Sequence, residues 1–232
     1  MRRLNLSLLM PLKKTSMTSI ICLMLVIVIM PKLATGMPMP IRTHIYLQTK
    51  AQYELFHGQY DVVMFGDSLT ERGHWSDMFP SVRIGNRGIG GDDTQGMLER
   101  IQSIESTGAK TVFIMAGTND LSRSVQPNTI ARNIITIAKI LSAQGIHPII
   151  QSTVLSGRIK LGKNPKTVQI NELLKLNAQA NGFTYIDINR FLAPNGYLPD
   201  NFTIDGTHLT AEGYNAWYKA LKRHIEPSNS GM

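Results

Sequence analysis

Three residues of the 232-residue chain, Ser68, Asp205 and His208, have side chains that can together transfer an acyl group. A serine hydroxyl is a weak nucleophile unless a base lies within hydrogen-bond reach, and the base needs a third group that fixes its tautomer. We therefore take Ser68 as a candidate nucleophile and His208 as its candidate base. Asp205 is the candidate for the group that orients the base.

Acyl transfer also needs hydrogen-bond donors at the place where negative charge develops on the carbonyl oxygen. Backbone N–H groups beside glycines and side-chain amides are suitable donors. The stretch "NRGIGGDDT" at 86–94 contains Gly91, and the stretch "GTND" at 117–120 contains Asn119. These two residues are the candidates for an oxyanion hole.

Each of these motifs has an ordinary structural explanation when it is taken singly. A serine after a strand usually caps a helix, and glycine-rich stretches or "TND" usually form turns. Asp205 and His208 alone are also compatible with two metal ligands. Their occurrence together in one chain favours a hydrolytic site.

The elements that must position these residues alternate along the chain. Short apolar runs predict strands, and segments with helical spacing lie between them. Such alternation predicts an α/β fold in which a mainly parallel sheet is covered by helices on both faces. Ligands bind at the carboxyl ends of such strands, where the polar motifs lie. The predicted strands are 61–65, 82–85, 111–116, 146–150 and 184–188, and the predicted helices are 94–106, 128–144, 166–181 and 210–225.

Together the motifs resemble those of the SGNH, or GDSL, hydrolase family, over about residues 60–225. The resemblance implies a three-layer, flavodoxin-like fold and a serine hydrolase without a cofactor. It also implies that the N–H groups of Ser68 and Gly91 and the amide of Asn119 hold the oxyanion. The matching blocks, in the family's order, are Gly66-Asp67-Ser68-Leu69, Gly91 of "GIGGDD", Asn119 of "GTND", and Asp205 with His208 of "DGTH".

Candidate substrate contacts are the neighbours of the catalytic candidates: Arg72, Trp75 and Thr207. A second interpretation places Trp75 in the core. No long apolar insertion that would form a lid or an acyl tunnel is present, which favours a short acyl group. Compact members of this kind resemble platelet-activating-factor acetylhydrolase-like enzymes and carbohydrate O-acetylesterases. The expected substrate is therefore a short-chain, O-acetyl ester of an envelope or extracellular carbohydrate.

Other functions of the same fold class remain as alternatives. Within the family these are a lysophospholipase, a thioesterase or an arylesterase, and outside catalysis a glycan-binding module. A dinucleotide-binding loop is disfavoured because a G-x-G-x-x-G pattern that starts at Gly88 has Asp93 in its third glycine position. A metal site is not expected, since the remaining histidines are scattered and no HExxH-like pair occurs.

The positive charge of the chain is concentrated at its N-terminus. Five of the 24 basic residues and none of the 16 acidic residues lie in 1–36, which leaves 19 basic residues and a formal charge of +3 for the rest. Because no basic run with interleaved aromatics follows, we do not expect nucleic acid as a partner. The single cysteine, Cys22, lies in the same segment, so the rest of the chain contains no disulfide.

The N-terminal segment has the layout of an export signal. Seventeen uncharged residues with a strongly apolar centre separate Lys14 from Lys32, which predicts a signal peptide or a membrane anchor at 1–36. Both interpretations place the catalytic domain outside the cytoplasm, and the membrane is a partner only if the segment is uncleaved. The remaining predicted organisation is a linker and lead-in helix at 37–58, a hydrolase domain at 59–227 and a tail at 228–232.

Overall fold

The computed structural model describes residues 43–226, in which five parallel strands form one sheet with helices on both faces. The strands are β1 Val62–Gly66, β2 Ile84–Gly88, β3 Thr111–Met115, β4 His147–Gln151 and β5 Thr184–Ile186. Their order in the sheet is β2-β1-β3-β4-β5. This architecture confirms the predicted α/β three-layer fold. The predicted export segment and the tail lie outside the described residues, and no helix within 43–226 has the length and apolarity needed to cross a bilayer.

Ten α-helices connect and flank these strands in the described part of the chain. Two 3₁₀ segments, Arg158–Lys163 and Asp200–Phe202, lie in the loops that follow β4 and β5. The α-helices are α1 His44–Leu55, α2 Ser68–Glu71, α3 Trp75–Met78, α4 Thr94–Glu99, α5 Gln102–Glu105, α6 Thr118–Ser122, α7 Pro127–Ala143, α8 Asn164–Ala180, α9 Asn189–Leu192 and α10 Ala211–Ile225.

The two faces of the sheet bury separate hydrophobic clusters. Side chains alternate between the faces along a strand, so Val63 and Phe65 pack in the cluster with α7 and α8. Val62 and Met64 pack in the opposite cluster with α3 and α10. Because both faces are covered, the strands are continuously apolar in sequence, which is why the sequence pattern located most of them.

The carboxyl ends of β2, β1 and β3 lie side by side because these neighbouring strands are in register. Gly66 at the end of β1 pairs with Gly88 of β2 on one side and with Met115 of β3 on the other. The loops that follow these residues contain the predicted motifs. The sheet therefore brings Ser68, Gly91 and Asn119 to the same end of the molecule.

Two elements differ from the sequence prediction. The strand predicted at 82–85 begins instead at Ile84 and includes Asn86 and Arg87, which are polar residues that an apolar pattern does not select. The Asn86 amide lies near the carbonyls of Thr70, Glu71 and Gly73 and is satisfied there. The helix predicted at 94–106 is two short helices, interrupted at Arg100, whose guanidinium is directed inward.

Candidate active site

Ser68 occupies the first position of α2, directly after β1. Asp67 caps this helix, and its Oδ1 accepts a hydrogen bond of 2.9 Å from the N–H of Leu69. Gly66 is required at the turn because a Cβ there would lie 2.4 Å from the carbonyl oxygen of Met115. The tight strand-to-helix turn therefore holds the Ser68 hydroxyl at the edge of the sheet, where the residue is 9% exposed.

The three catalytic candidates form one hydrogen-bonded series. The Oγ of Ser68 lies 3.1 Å from Nε2 of His208, across 140 residues of sequence. The Nδ1 of the same ring lies 2.9 Å from Oδ2 of Asp205. When Nδ1 carries the proton and donates it to the carboxylate, Nε2 is free to accept the serine proton. The arrangement is therefore suited to general-base activation of a hydroxyl.

Asp205 is held as a carboxylate by its surroundings. Burial acts to raise its pKa, but hydrogen bonds from the backbone and ring of His208 and from the N–H of Thr207 outweigh burial and hold the pKa well below its usual value. Oδ1 accepts both backbone bonds, at 2.9 and 2.8 Å. Oδ2 is thereby left to the imidazole, and a carboxylate fixed in this way favours a single ring orientation.

Gly206 gives the Asp205–His208 loop its shape. Its φ is +78°, and a Cβ at this position would lie 2.7 Å from the Ile159 side chain. The N–H of Gly157 donates to the Gly206 carbonyl at 2.9 Å, so the loop is docked on the segment that follows β4. Glycine is needed here both for its backbone conformation and for the close approach.

The candidate oxyanion residues lie in two loops that are hydrogen-bonded to each other. Nδ2 of Asn119 donates to the Asp92 carbonyl at 2.8 Å, which uses one of its two amide hydrogens. Gly91 has a φ of +73°, and no atom lies near the position of an added Cβ. Its carbonyl accepts a hydrogen bond of 2.7 Å from Nη2 of Arg123. The role of these residues toward an oxyanion stays a prediction.

A buried ion pair supports the same loops. Nε of Arg100 lies 2.7 Å from Oδ2 of Asp92, and both side chains are completely buried. The two terminal nitrogens of Arg100 donate to the carbonyls of Arg87 and Gly66, each at 2.8 Å. Sequence reasoning missed Arg100, since an arginine within a helical pattern is usually solvent-exposed.

Three further aspartates stabilise the loops through hydrogen bonds. Asp93 caps α4 by accepting from the N–H of Gly96. Asp120 accepts hydrogen bonds from the N–H and hydroxyl of Thr94, and burial raises its pKa to about 6. Burial likewise raises the pKa of Asp67 to about 7, although the Leu69 N–H opposes this.

The candidate substrate contacts lie in three different environments. Trp75 is 1% exposed, donates its ring N–H to the Thr70 carbonyl at 2.8 Å and packs edge-on against Trp217, so the structure places it in the core. Arg72 is exposed at the end of α2. Thr207 is half-buried, and its hydroxyl accepts a hydrogen bond from Lys160 at 2.9 Å.

The 3₁₀ segment Arg158–Lys163 lies beside the site and was not identified from the sequence. Nζ of Lys160 lies 3.9 Å from Oδ2 of Asp205, and Nζ of Lys163 donates to the Ser122 hydroxyl of α6 at 2.8 Å. The segment thus contacts both the Asp205–His208 loop and the helix that contains Asn119. The only signal in the sequence was the two lysines of "RIKLGK", which are usually solvated.

Residues that would hold a metal do not gather in the described part of the chain. Within 43–226, no group of three or more histidine, cysteine, aspartate or glutamate side chains is positioned around a common point. Asp205 and His208, which are compatible with two metal ligands when they are taken by themselves, contact each other through Oδ2 and Nδ1.

Comparison with known proteins gives one family and several relatives. Residues 64–216 match the sequence model of the GDSL-like lipase/acylhydrolase family. Platelet-activating factor acetylhydrolase IB subunit alpha1 of Rattus norvegicus is 29% identical over 177 residues, which cover 69% of this chain and 73% of the relative. A GDSL-like lipase from Bacteroides thetaiotaomicron has a similar fold, with a TM-score of 0.66, 24% identity and coverage of 78% of this chain and 97% of its own. An acetylxylan esterase from Geobacillus stearothermophilus has a TM-score of 0.63 at 16% identity, over 73% of this chain and 95% of its own.

Proposed function

Since the chain belongs to the GDSL-like lipase/acylhydrolase family and is an ester-bond hydrolase, we propose that it cleaves short-chain esters through an acyl-enzyme on Ser68. In this mechanism the Ser68 hydroxyl attacks the ester carbonyl while His208 accepts its proton. The tetrahedral intermediate collapses as His208 returns the proton to the leaving alcohol. Water then attacks the acyl-enzyme by the same route, and the carboxylic acid and free Ser68 are released.

The observation that supports this mechanism best is the hydrogen-bonded series from Ser68 through His208 to Asp205. Its two distances, 3.1 and 2.9 Å, are within the range for direct proton transfer. The low pKa of Asp205 keeps a negative charge beside the imidazolium that forms during attack. The carboxylate therefore stabilises the charged intermediate without itself taking the proton.

The oxyanion is assigned to the N–H groups of Ser68 and Gly91 and to the amide of Asn119. Ser68 is the first residue of α2, where backbone N–H groups have no partner within the helix. The Gly91 turn and the amide of Asn119 contribute donors from the next two loops. Donors fixed by the surrounding structure need no reorganisation when charge develops on the substrate oxygen.

For the substrate we propose an O-acetyl ester of a carbohydrate. Two similar proteins carry names that refer to acetyl esters, namely an acetylhydrolase and an acetylxylan esterase. The absence of a long apolar insertion in the sequence also favours a small acyl group. These likenesses support the proposal, and activity on defined esters has to test it.

A second candidate, a lipid-type or thioester substrate, is favoured by one local feature. Ile159, Leu161 and Ile204 are large apolar side chains with exposures of 77, 48 and 73%, and they lie on or beside the segments around Asp205. Such side chains would contact a long acyl chain that extends from the site. Chain-length preference distinguishes the two candidates.

The deciding experiment is hydrolysis of p-nitrophenyl esters from acetate to palmitate by the full chain and by its Ser68→Ala variant. We expect activity on acetate that decreases with chain length and is lost with the serine. Preference for long chains would favour the lipid-type candidate. A folded Ser68→Ala variant that retains wild-type activity would refute the mechanism, and inactivity on all of these esters would favour a narrow glycan specificity or a non-catalytic glycan-binding module.

We further infer from the sequence that residues 1–36 direct the domain out of the cytoplasm. Cell fractionation followed by intact mass measurement tests this. The mass of a chain that begins near Met37 indicates a cleaved signal, and full-length protein in the membrane fraction indicates an anchor. Full-length protein in the cytoplasmic fraction would contradict both.

A further inference from the structure

A groove of about 480 Å³ lies between α10 and the α2–α3 segment. The α2–α3 side contributes Arg72, His74 and Met78, and α10 contributes Tyr214, Asn215 and Tyr218. None of the residues assigned to chemistry lines it. A larger groove of about 720 Å³ lies elsewhere, around Lys219 and the edge strand β5, and shares no residue with it.

We propose that the groove between α10 and α2–α3 binds a pyranose ring of the glycan whose ester Ser68 cleaves. The inference rests on the proposed carbohydrate-esterase function and adds the place where the sugar binds. Three features support it: the aromatic wall of the groove, the polar groups at its rim and the contact of Tyr214 with Leu69, the residue that follows Ser68.

The wall of the groove consists of two tyrosines that are fixed by the core behind them. The Tyr214 hydroxyl donates to the Leu69 carbonyl at 2.8 Å, and its ring is stacked at 6.2 Å on the buried Trp217. The Tyr218 ring packs at 5.1 Å on the buried Phe79. Because these rings are already ordered, a sugar that contacts them incurs little further loss of side-chain entropy.

The rim of the groove provides planar polar groups. Arg72, His74 and Asn215 are exposed, and across residues 43–226 the side chains of Arg72 and Asn215 have no hydrogen-bond or ion-pair partner. Sugar hydroxyl groups donate and accept hydrogen bonds, which the Asn215 amide can match with both its oxygen and its nitrogen. The C–H faces of a pyranose ring are apolar and suit contact with aromatic rings.

The apolar lining of the groove is aromatic as well as aliphatic. Met78 and Ala211 are its aliphatic lining residues, and Tyr214 and Tyr218 contribute aromatic rings, whose faces suit the C–H faces of a sugar. The exposed apolar residues Ile159, Leu161 and Ile204 are absent from its lining. A polar ligand with apolar faces therefore fits the groove better than an alkyl chain does.

The groove is also linked directly to the nucleophile. Leu69, whose carbonyl holds Tyr214, follows Ser68 in sequence, and Arg72 is the residue that ends the same short helix. On the other side, Ala211 begins α10 just after His208. An oligosaccharide with its ester at Ser68 would thus have the groove beside it for a neighbouring sugar.

Binding to a catalytically silenced protein tests the inference without requiring turnover. Isothermal titration of the full-chain Ser68→Ala variant uses xylohexaose, cellohexaose and chitohexaose as probes. We expect at least one probe to bind. Its Kd should then rise about ten-fold, roughly 1.4 kcal/mol, when Tyr218→Ala or Asn215→Ala is added. Tyr218→Phe keeps the ring face and should retain the affinity of the parent. Lys219→Ala, at the other groove, is the matched control and should not change it.

The same variants in the active enzyme give a second measurement. For each variant, kcat/KM is measured on p-nitrophenyl acetate and on the acetylated form of the oligosaccharide that binds. The second value is then divided by the first. We expect Tyr218→Ala and Asn215→Ala to lower this ratio about ten-fold, the loss expected from binding. Binding of no probe, or equal binding by all variants, overturns the inference even if the protein is an active esterase. A change in acyl chain-length preference would instead make the groove an acyl site. If no ester is cleaved but a probe binds through Tyr218, the esterase proposal fails and the sugar site holds.

Discussion

The Asn119 amide donates a hydrogen bond of 2.8 Å to the Asp92 carbonyl and thereby joins the loop after β3 to the loop after β2. These residues are 27 positions apart in sequence. The bond fixes the orientation of the amide, which has a second hydrogen for another acceptor. A side chain held in this way is preorganised for the proposed oxyanion role.

Replacing Asn119 should therefore slow the chemical step. If its amide stabilises the oxyanion, Asn119→Ala should lower kcat by roughly 10²–10³ with a smaller change in KM. Steady-state kinetics on p-nitrophenyl acetate measure this. Asn133→Ala is the matched control, because Asn133 donates to the nearby Thr94 hydroxyl and has no proposed catalytic role. An unchanged kcat in Asn119→Ala would remove Asn119 from the oxyanion hole.

Ser68 and His208 should act as a unit. Each alanine substitution should lower kcat by roughly 10⁴ or more, and the double substitution should cost little beyond either single one, because each alone already removes the activated nucleophile. Single-turnover assays on an activated ester would measure the three variants. If the effects of the two substitutions on kcat simply multiply in the double variant, the residues function independently. That result would contradict their action as a unit.

The buried pair of Arg100 and Asp92 should be far more important for stability than the exposed pair of Arg83 and Asp61. Arg100→Leu removes the guanidinium that lies 2.7 Å from the buried Asp92 carboxylate, and breaking a buried pair in this way costs about 3–5 kcal/mol of unfolding free energy. Arg83→Leu removes a pair whose side chains are 67 and 44% exposed, and the cost should stay within about 1 kcal/mol. Urea denaturation of both variants makes the comparison, and equal losses would contradict it.

Asp67 should make the protein less stable as pH rises. Burial raises its pKa to about 7 in the folded state, assisted by the negative charges of Asp92 and Asp120, compared with about 3.9 in an unfolded chain. Between these values the folded protein retains a proton that the unfolded chain has lost. The unfolding free energy therefore falls as pH rises from about 4 to about 7.

Asp67→Asn should remove this dependence. Relative to wild type, the variant should gain on the order of 2–4 kcal/mol of stability between pH 4.5 and pH 8. Thermal unfolding at both pH values measures the gain. Asp61→Asn is the control, since the hydrogen bond from Arg83 lowers the pKa of Asp61. Asp61 is therefore ionised in both the folded and the unfolded chain across this range, and the stability difference between Asp61→Asn and wild type should stay nearly constant. A constant difference between Asp67→Asn and wild type across this range would show that Asp67 is ionised throughout.

Local patterns were sufficient to identify the strands and most helices. The apolar strands β1, β3 and β4 are almost fully buried within the parallel sheet, so their composition alone indicates their burial. The strand β2 was displaced in the prediction because Asn86 and Arg87 are polar. The Asn86 amide donates to the Glu71 carbonyl of α2, and the Arg87 guanidinium donates to the Ser103 carbonyl of α5, contacts that no local pattern records.

Residue types and their order along the chain determined, without coordinates, the fold class, the family resemblance and the candidates Ser68, Asp205, His208, Gly91 and Asn119. Tertiary structure decided which side chains contact one another: Trp75 is a core residue, Arg100 is a buried ion-pair partner and Lys160 lies beside Asp205. The physical reason is that chemical type and periodicity are local properties of a sequence. Burial and contact depend on strand register and loop packing, which bring together residues as far apart as Ser68 and His208.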